Sequence, residues 1–262
     1  MAITHVAHGA VATGSPSASP TFGQATTAGN LVVCICVYTS IGTTSMDLSG
    51  WSTAYYQQGA TYSTWVWYKA DCADNEPAPT ITTVSPVASI WAVLAEFNGA
   101  GPATNRWSST SGASGVTPVA ATTAGTDVAA GYLALMASID SLSKAGTVTT
   151  SDTFNNGTAN DLGNNDATSL TTHYRFSYAI TTSNSVADSN SHADNSKNLN
   201  FIQTSIQVYG PATFTTRYSN AQTKTWIETT VSTYAQVQAQ IIIMQTLYPA
   251  SDVSNTNWLR LG

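Results

Sequence analysis

Fourteen carboxylates, four histidines and three cysteines are the residues of this 262-residue chain that could carry acid-base, nucleophilic or metal chemistry. His5 and His8 lie three apart near the start, and His173 and His192 fall in the second half. A catalytic triad is defined by geometry rather than spacing, so no histidine is assigned a catalytic role. Glu96 is the only acid placed firmly in an apolar strand, within "VLAEFNGAG", and a glycosidase needs two acids flanking one bond. "DSNSHAD" (188–194) sets oxygen or imidazole side chains at alternate positions, but an EF-hand loop requires Gly sixth and Glu twelfth, where Ala193 and Leu199 stand. The segment reads better as a polar turn than as a Ca²⁺ loop. "ADCADNE" (70–76) groups Asp71, Asp74 and Glu76 and reads as a solvated turn.

Cys34 and Cys36, two apart on a strand, share a face as small apolar packers, and with Cys72 they are too few for a disulfide framework or a four-ligand zinc site. No GxSxG, P-loop, GxGxxG or HExxH occurs, and "SGASG" around Ser114 has the wrong spacing for a nucleophile elbow. Catalytic, metal-ligating and cofactor-binding residues are therefore all left unassigned, and the chain reads as a non-enzyme. Aromatic side chains are the more usable signal, since they favour protein contacts and sugar stacking. Tyr55, Tyr56 and Tyr62, on segments that read as loops, together with Trp226, Tyr248 and Trp258 towards the end, form the candidate contact surface. Core packing is the competing account of these rings.

The elements that position these residues come in two rounds. Ala-Thr-Thr-Ala-Gly starts at Ala25 and again at Ala121, each time ahead of an apolar run. After the first come Gly50-Trp51, "STWVWYKA" and "VLAEFNGAG"; after the second come Phe154, "HYRFSYAI" and "TSIQVYGPA". Aligned this way, Trp65 and Trp67 match Tyr174 and Phe176, and Glu96 matches Gln207. "DVAAGYLALMASI" alone could be a buried helix, but its partner "NLVVCICVYTSI" is β in composition, so both read as strands. In "STWVWYKA" alternation puts Trp65, Trp67 and Lys69 on one face and Thr64, Val66 and Tyr68 on the other. The second copy is longer, with a polar insertion at 181–198.

Turn signals at short intervals complete an all-β expectation: an antiparallel β-sandwich of jelly-roll type, built from two tandem half-motifs over 1–212 (copies at about 1–101 and 107–212). A copy this short would barely close a core alone, which favours one shared core. Residues 213–262 have no counterpart and read as a β-rich assembly arm. Within it, "YAQVQAQIIIMQTLY" (234–248) alternates as a strand but also fits a helical stripe, and strand is favoured.

Composition narrows the partners. Only 8% of residues are charged, about a third of the usual share, and the formal charge is -6. Eight Lys and Arg give no cationic footprint for nucleic acid. No apolar stretch reaches membrane-spanning length and no basic-then-apolar leader opens the chain, so it reads as soluble and without a secretion signal.

Ala28 to Val33 ("AGNLVV"), Gly50-Trp51, Tyr68-Lys69 and Glu96 to Gly99 ("EFNG") occur in the order of a pattern this chain resembles. It is a β-sandwich repeat of virion proteins of tailed bacteriophages, many from phages of actinobacteria and labelled minor tail or structural proteins. The resemblance covers about residues 1–212, and the second copy departs from it with Phe154 for Gly-Trp and Gln207 for Glu. It implies a tail-associated structural protein, assembled in the host cytoplasm into the virion, with copies of itself and other virion proteins as partners and host-surface glycan as a further contact. A capsid decoration or head-fibre protein is the nearest variant. A carbohydrate-binding module or glycosidase domain is the alternative of another class.

Overall fold

The computed structural model describes residues 2–39, 48–58, 62–83, 89–100, 114–115, 119–122, 126–127, 130–154, 157–166, 168, 170–182, 185–186, 188–194, 199–209, 214–219, 226–231 and 258–260. Among the described residues all regular structure is β, and every strand pairing is antiparallel. No helix among them is long and apolar enough to cross a membrane.

The first half supplies β1 (Thr4–His8), β2 (Ala12–Gly14), β3 (Ser17–Ala18), β4 (Leu31–Thr39), β5 (Ser52–Gln58), β6 (Tyr62–Lys69), β7 (Ile81–Thr82) and β8 (Ile90–Asn98). Its main sheet runs β1-β8-β4-β6-β5, with β2 also on β8. β4 is central and buried on both faces, which is why it reads as an unbroken apolar run. The second half supplies β9 (Ser114–Gly115), β10 (Val119–Thr122), β11 (Thr126–Asp127), β12 (Leu133–Gly146), β13 (Val148–Phe154), β14 (Asn160–Asn164), β15 (Leu170–Ile180), β16 (Ser185–Val186), β17 (Asp188–Asp194) and β18 (Leu199–Tyr209). Its main sheet runs β14-β15-β12-β18-β9.

The two orders are the same: β8-β4-β6-β5 in one half and β18-β12-β15-β14 in the other. Even the irregularity repeats, since the β5–β6 ladder slips between Thr53 and Tyr55 and the β14–β15 ladder between Asp161 and Gly163. The duplication is therefore a property of the fold.

Its register differs from the one the pentapeptide suggests. Gly29 and Gly131 both have φ of 84° and stand two residues before their central strands. Gly29 N donates to Cys72 O (2.9 Å) and Cys72 N to Asn30 O (3.0 Å); Gly131 N donates to Thr181 O (2.6 Å) and Thr181 N to Tyr132 O (2.8 Å). The equivalent glycine is thus Gly131. Gly125, which ends the second Ala-Thr-Thr-Ala-Gly, lies outside the described residues. A Cβ at Gly131 would meet nothing within 4 Å, so Gly131→Ala isolates the cost of the left-handed backbone, about 1 kcal/mol. Urea unfolding should show that loss, and Gly131→Asn should lose less, because asparagine tolerates this conformation.

With Leu31 equivalent to Leu133, Cys34 and Cys36 correspond to Met136 and Ser138, which pair with Ser177 and Arg175. Trp67 and Trp65 therefore correspond to Ser177 and Arg175, and Tyr174 and Phe176 correspond to Thr64 and Val66. The alignment from sequence is one residue out, which in a strand exchanges the faces. Gln207 likewise corresponds to Ala95 rather than Glu96.

One apolar cluster draws on both sheets: Leu31, Val33, Ile35, Val66 and Phe97 from the first half, Leu133, Leu135, Ile139, Phe176 and Tyr178 from the second. The far face of the first sheet buries Val32, Cys34, Cys36 and Trp67 under Ala18, Phe22, Leu48 and Ile81. The far face of the second buries Ala134, Met136 and Ala179 under Phe154. Phe154 ends β13 in a three-stranded sheet, β10-β17-β13. The insertion at 181–198, expected as a loop, thus contributes the middle strand of that sheet. "DSNSHAD" is β17, paired on both sides, and an extended backbone does not wrap around a Ca²⁺ ion as a loop does. β19 (Phe214–Ser219), β20 (Trp226–Val231) and β21 (Trp258–Arg260) form a further three-stranded sheet. Residues 234–248 lie outside the described residues.

Candidate contact surface and polar clusters

The residues expected to make contacts separate. Tyr55 and Tyr56 are on β5 and Tyr62 opens β6, so all three are strand residues rather than loop residues. Tyr55 and Tyr62 are each only 4% exposed and belong to the cluster between the sheets. They are core residues, because the slip after Thr53 sets Tyr55 opposite Val66, on the inner face. Tyr56 points the other way and is 38% exposed. Trp226 and Trp258 are placed on β20 and β21 by their backbone, and Tyr248 lies outside the described residues.

Tyr56 heads a row of rings that sequence spacing did not single out. It packs on Trp65 at 4.2 Å between centroids, and Trp65 stacks on Trp67 at 5.2 Å with 9° between planes. Cross-strand pairing of Tyr56 with Trp65 produces the first contact, and i, i+2 alternation the second. The Trp65 indole donates to the Tyr38 hydroxyl at 3.2 Å. Burial, then hydrogen bonding to Tyr38 and the nearness of that phenol, push Tyr56 up to about 12. The row grades from buried Trp67 through half-buried Trp65 to exposed Tyr56, so a ring held rigid from beneath is offered to solvent.

At the other end of the same face the acids are structural. Glu96 is fully buried; its Oε1 accepts from Thr27 N (2.9 Å) and Asn30 Nδ2 (2.6 Å), while Oε2 has no partner among the described residues. Glu76, expected to solvate a turn, is buried: Oε1 accepts from Lys69 Nζ at 2.6 Å and Oε2 from Ala73 N at 3.0 Å. Asp74 accepts from Ala28 N at 2.8 Å, and the buried Cys72 thiol donates to Thr27 O at 3.2 Å. Burial, reinforced by the Glu96 charge, pushes that thiol up to about 11, and burial also raises Cys34 and Cys36, so all three stay protonated and unreactive.

Burial alone would raise Glu76, but the Lys69 hydrogen bond, the Ala73 N–H and the Lys69 charge together hold it below its ordinary 4.5. A carboxyl with a depressed folded-state value stabilises above its unfolded value, and that gain is lost as pH falls through the folded value. Stability measured by urea from about pH 7 down to pH 3 should therefore fall at the acid end, and Glu76→Gln should flatten that part of the profile.

The second copy fills the equivalent face with charge. Arg175 Nε donates to Asp152 at 3.2 Å, Nη1 to Thr150 Oγ1 at 3.1 Å, and Asp161 and Asp166 lie 3.8 Å away. Ser177 also donates to Asp152, whose side chain is 1% exposed. Asp166 in turn accepts from Thr150 N and Oγ1 at 2.9 and 2.6 Å. Buried His173 bonds the Gly146 and Leu170 carbonyls through Nε2. Three carboxylates around one guanidinium form a polar pin between β13 and β15. Among the described residues no three His, Cys, Asp or Glu converge as a metal-ligating group. Comparison with protein families, curated proteins and solved structures returned no match to this chain.

Proposed function

We propose that the protein is a structural component of a bacteriophage virion, tail-associated as a minor tail or tail-tip protein. In this reading its two copies close as one sandwich, and residues 213–262 serve as an arm that joins it to copies of itself and to other virion proteins. A jelly roll would interleave strands of both copies in each sheet. The strand orders favour a sandwich with one copy per layer.

The observation that carries the reading is where the phage-like motif residues meet. Gly29 and Asn30 of "AGNLVV", Lys69 of "YK" and Glu96 of "EFNG" are spread over the first copy, yet they converge on one knot of hydrogen bonds: Asn30 to Glu96, Lys69 to Glu76, Gly29 to Cys72. The resemblance thus rests on residues that hold a repeat together. Such a signature fits a particle component, and the exposed Tyr56 ring on its Trp65 support fits surface or glycan contact by that component.

Mass spectrometry and cross-linking of intact particles test this. The expected result is stoichiometric incorporation, cross-links to tail proteins, and a homo-oligomer in solution that deletion of 211–262 reduces to a folded monomer. Recovery only as a free, glycan-cleaving monomer would overturn the reading. Cross-links confined to the capsid shell would instead support the decoration or head-fibre variant. A carbohydrate-binding module, the alternative that Tyr56 favours, predicts a monomer whose polysaccharide binding is lost in Tyr56→Ala.

A further inference from the structure

His5 and His8 are three apart, a spacing that puts side chains on opposite faces of a regular strand. In β1 they meet. His5 pairs with Phe97, and the ladder then slips so that Ala7 pairs with Glu96 and His8 with Ala95. The residue absorbed by this bulge returns His8 to the face of His5, and the rings close to 5.1 Å between centroids. His8 Nδ1 and His5 Nε2 face each other at 3.2 Å.

We propose that this pair is a binding site for one borderline divalent transition ion, of the Zn²⁺, Ni²⁺ or Cu²⁺ class, ligated by His5 Nε2 and His8 Nδ1 with water completing the shell. Two imidazole nitrogens, each about 2.05 Å from one tetrahedral ion, sit roughly 3.3 Å apart, which is the separation found here. The second condition for a ligating histidine is that its other nitrogen be held by a hydrogen bond, fixing tautomer and ring plane. In β1 packing against the neighbouring rings fixes the His5 ring plane in place of such a hydrogen bond.

The ring is also braced. It stacks on Tyr178 of the second sheet at 5.0 Å and meets Phe97 edge-on at 5.5 Å, so only its Nε2 edge is turned to the exposed His8. Tyr178 belongs to the other sheet, so the pair lies at the junction of the two copies. The soft and borderline preferences of imidazole exclude Ca²⁺ and Mg²⁺ as occupants.

The test is calorimetric titration of the untagged full chain with ZnCl₂ and with NiCl₂, plus the Cu²⁺ electron paramagnetic resonance spectrum. One saturable site is expected, with hyperfine coupling to two nitrogens, and with affinity reduced roughly tenfold or more in His8→Gln, which loses one of two protein ligands. His5→Phe keeps the stack on Tyr178 and removes the nitrogen; it should remain folded by circular dichroism and likewise lose the site. Absence of saturable binding, or affinity unchanged in either variant, would overturn the assignment.

Discussion

Phe176→Ala should destabilise the protein by about 3–5 kcal/mol, the range for deleting a fully buried aromatic ring and leaving a cavity. Phe176 is 0% exposed and sits in the cluster that also contains Val66, Phe97 and Leu135. The loss should be shared by both copies. With Trp107, Trp226 and Trp258 changed to phenylalanine, the four tryptophans that remain, Trp51, Trp65, Trp67 and Trp91, all belong to the first copy, whereas Phe176 is in the second. If the two sheets fold on one core, the urea midpoint read by tryptophan fluorescence shifts together with that read by far-ultraviolet circular dichroism. A fluorescence midpoint that stays in place while the dichroism midpoint falls would show that the sheets unfold independently.

The second large effect is expected at Asp152. Its side chain is 1% exposed and accepts from Arg175 and Ser177, so Asp152→Ala strands a mostly buried guanidinium. Breaking a buried pair by removing one partner costs 3–5 kcal/mol, and the lower end, about 3 kcal/mol, applies here because Asp161 and Asp166 remain at 3.8 Å. Replacing both groups with apolar residues, as in Asp152→Leu with Arg175→Met, should lose much less, since no charge is then left uncompensated. Thermal unfolding of Asp152→Leu, Arg175→Met and the double variant closes that cycle. Equal losses in the single and double variants would mean that packing, rather than charge, makes Asp152 matter.

Phe176 and Arg175, the partner of Asp152, are neighbours on β15 with side chains on opposite faces, and they show how the copies divided their work. The inner faces stayed apolar because each must cover the other. The outer faces diverged, to Trp65, Trp67 and two cysteines in the first copy and to Arg175, Ser177 and Ser138 in the second. A duplicated sheet can change its outer face freely as long as something covers it: Phe22 and Leu48 from loops with Ala18 of β3 and Ile81 of β7 in one case, Phe154 of β13 in the other.

By itself the sequence determined the β class, the strand nature of both central runs, and the alternation within "STWVWYKA", because apolar periodicity and β-branched composition act over a few residues. It also exposed the duplication, through landmarks kept in order. The tertiary structure decided what depends on register and on long-range pairing. Identity of five residues aligned Gly125 with Gly29, but the backbone requirement for a positive φ and the hydrogen bonds to Thr181 select Gly131. A one-residue error then exchanges faces, which is why Arg175, not Tyr174, stands where Trp65 does. Bulges decide the rest: one sends Tyr55 inward and leaves Tyr56 outside, another brings His5 and His8 together. A bulge is set by how a strand fits its neighbour, and that fit is not written in either strand alone.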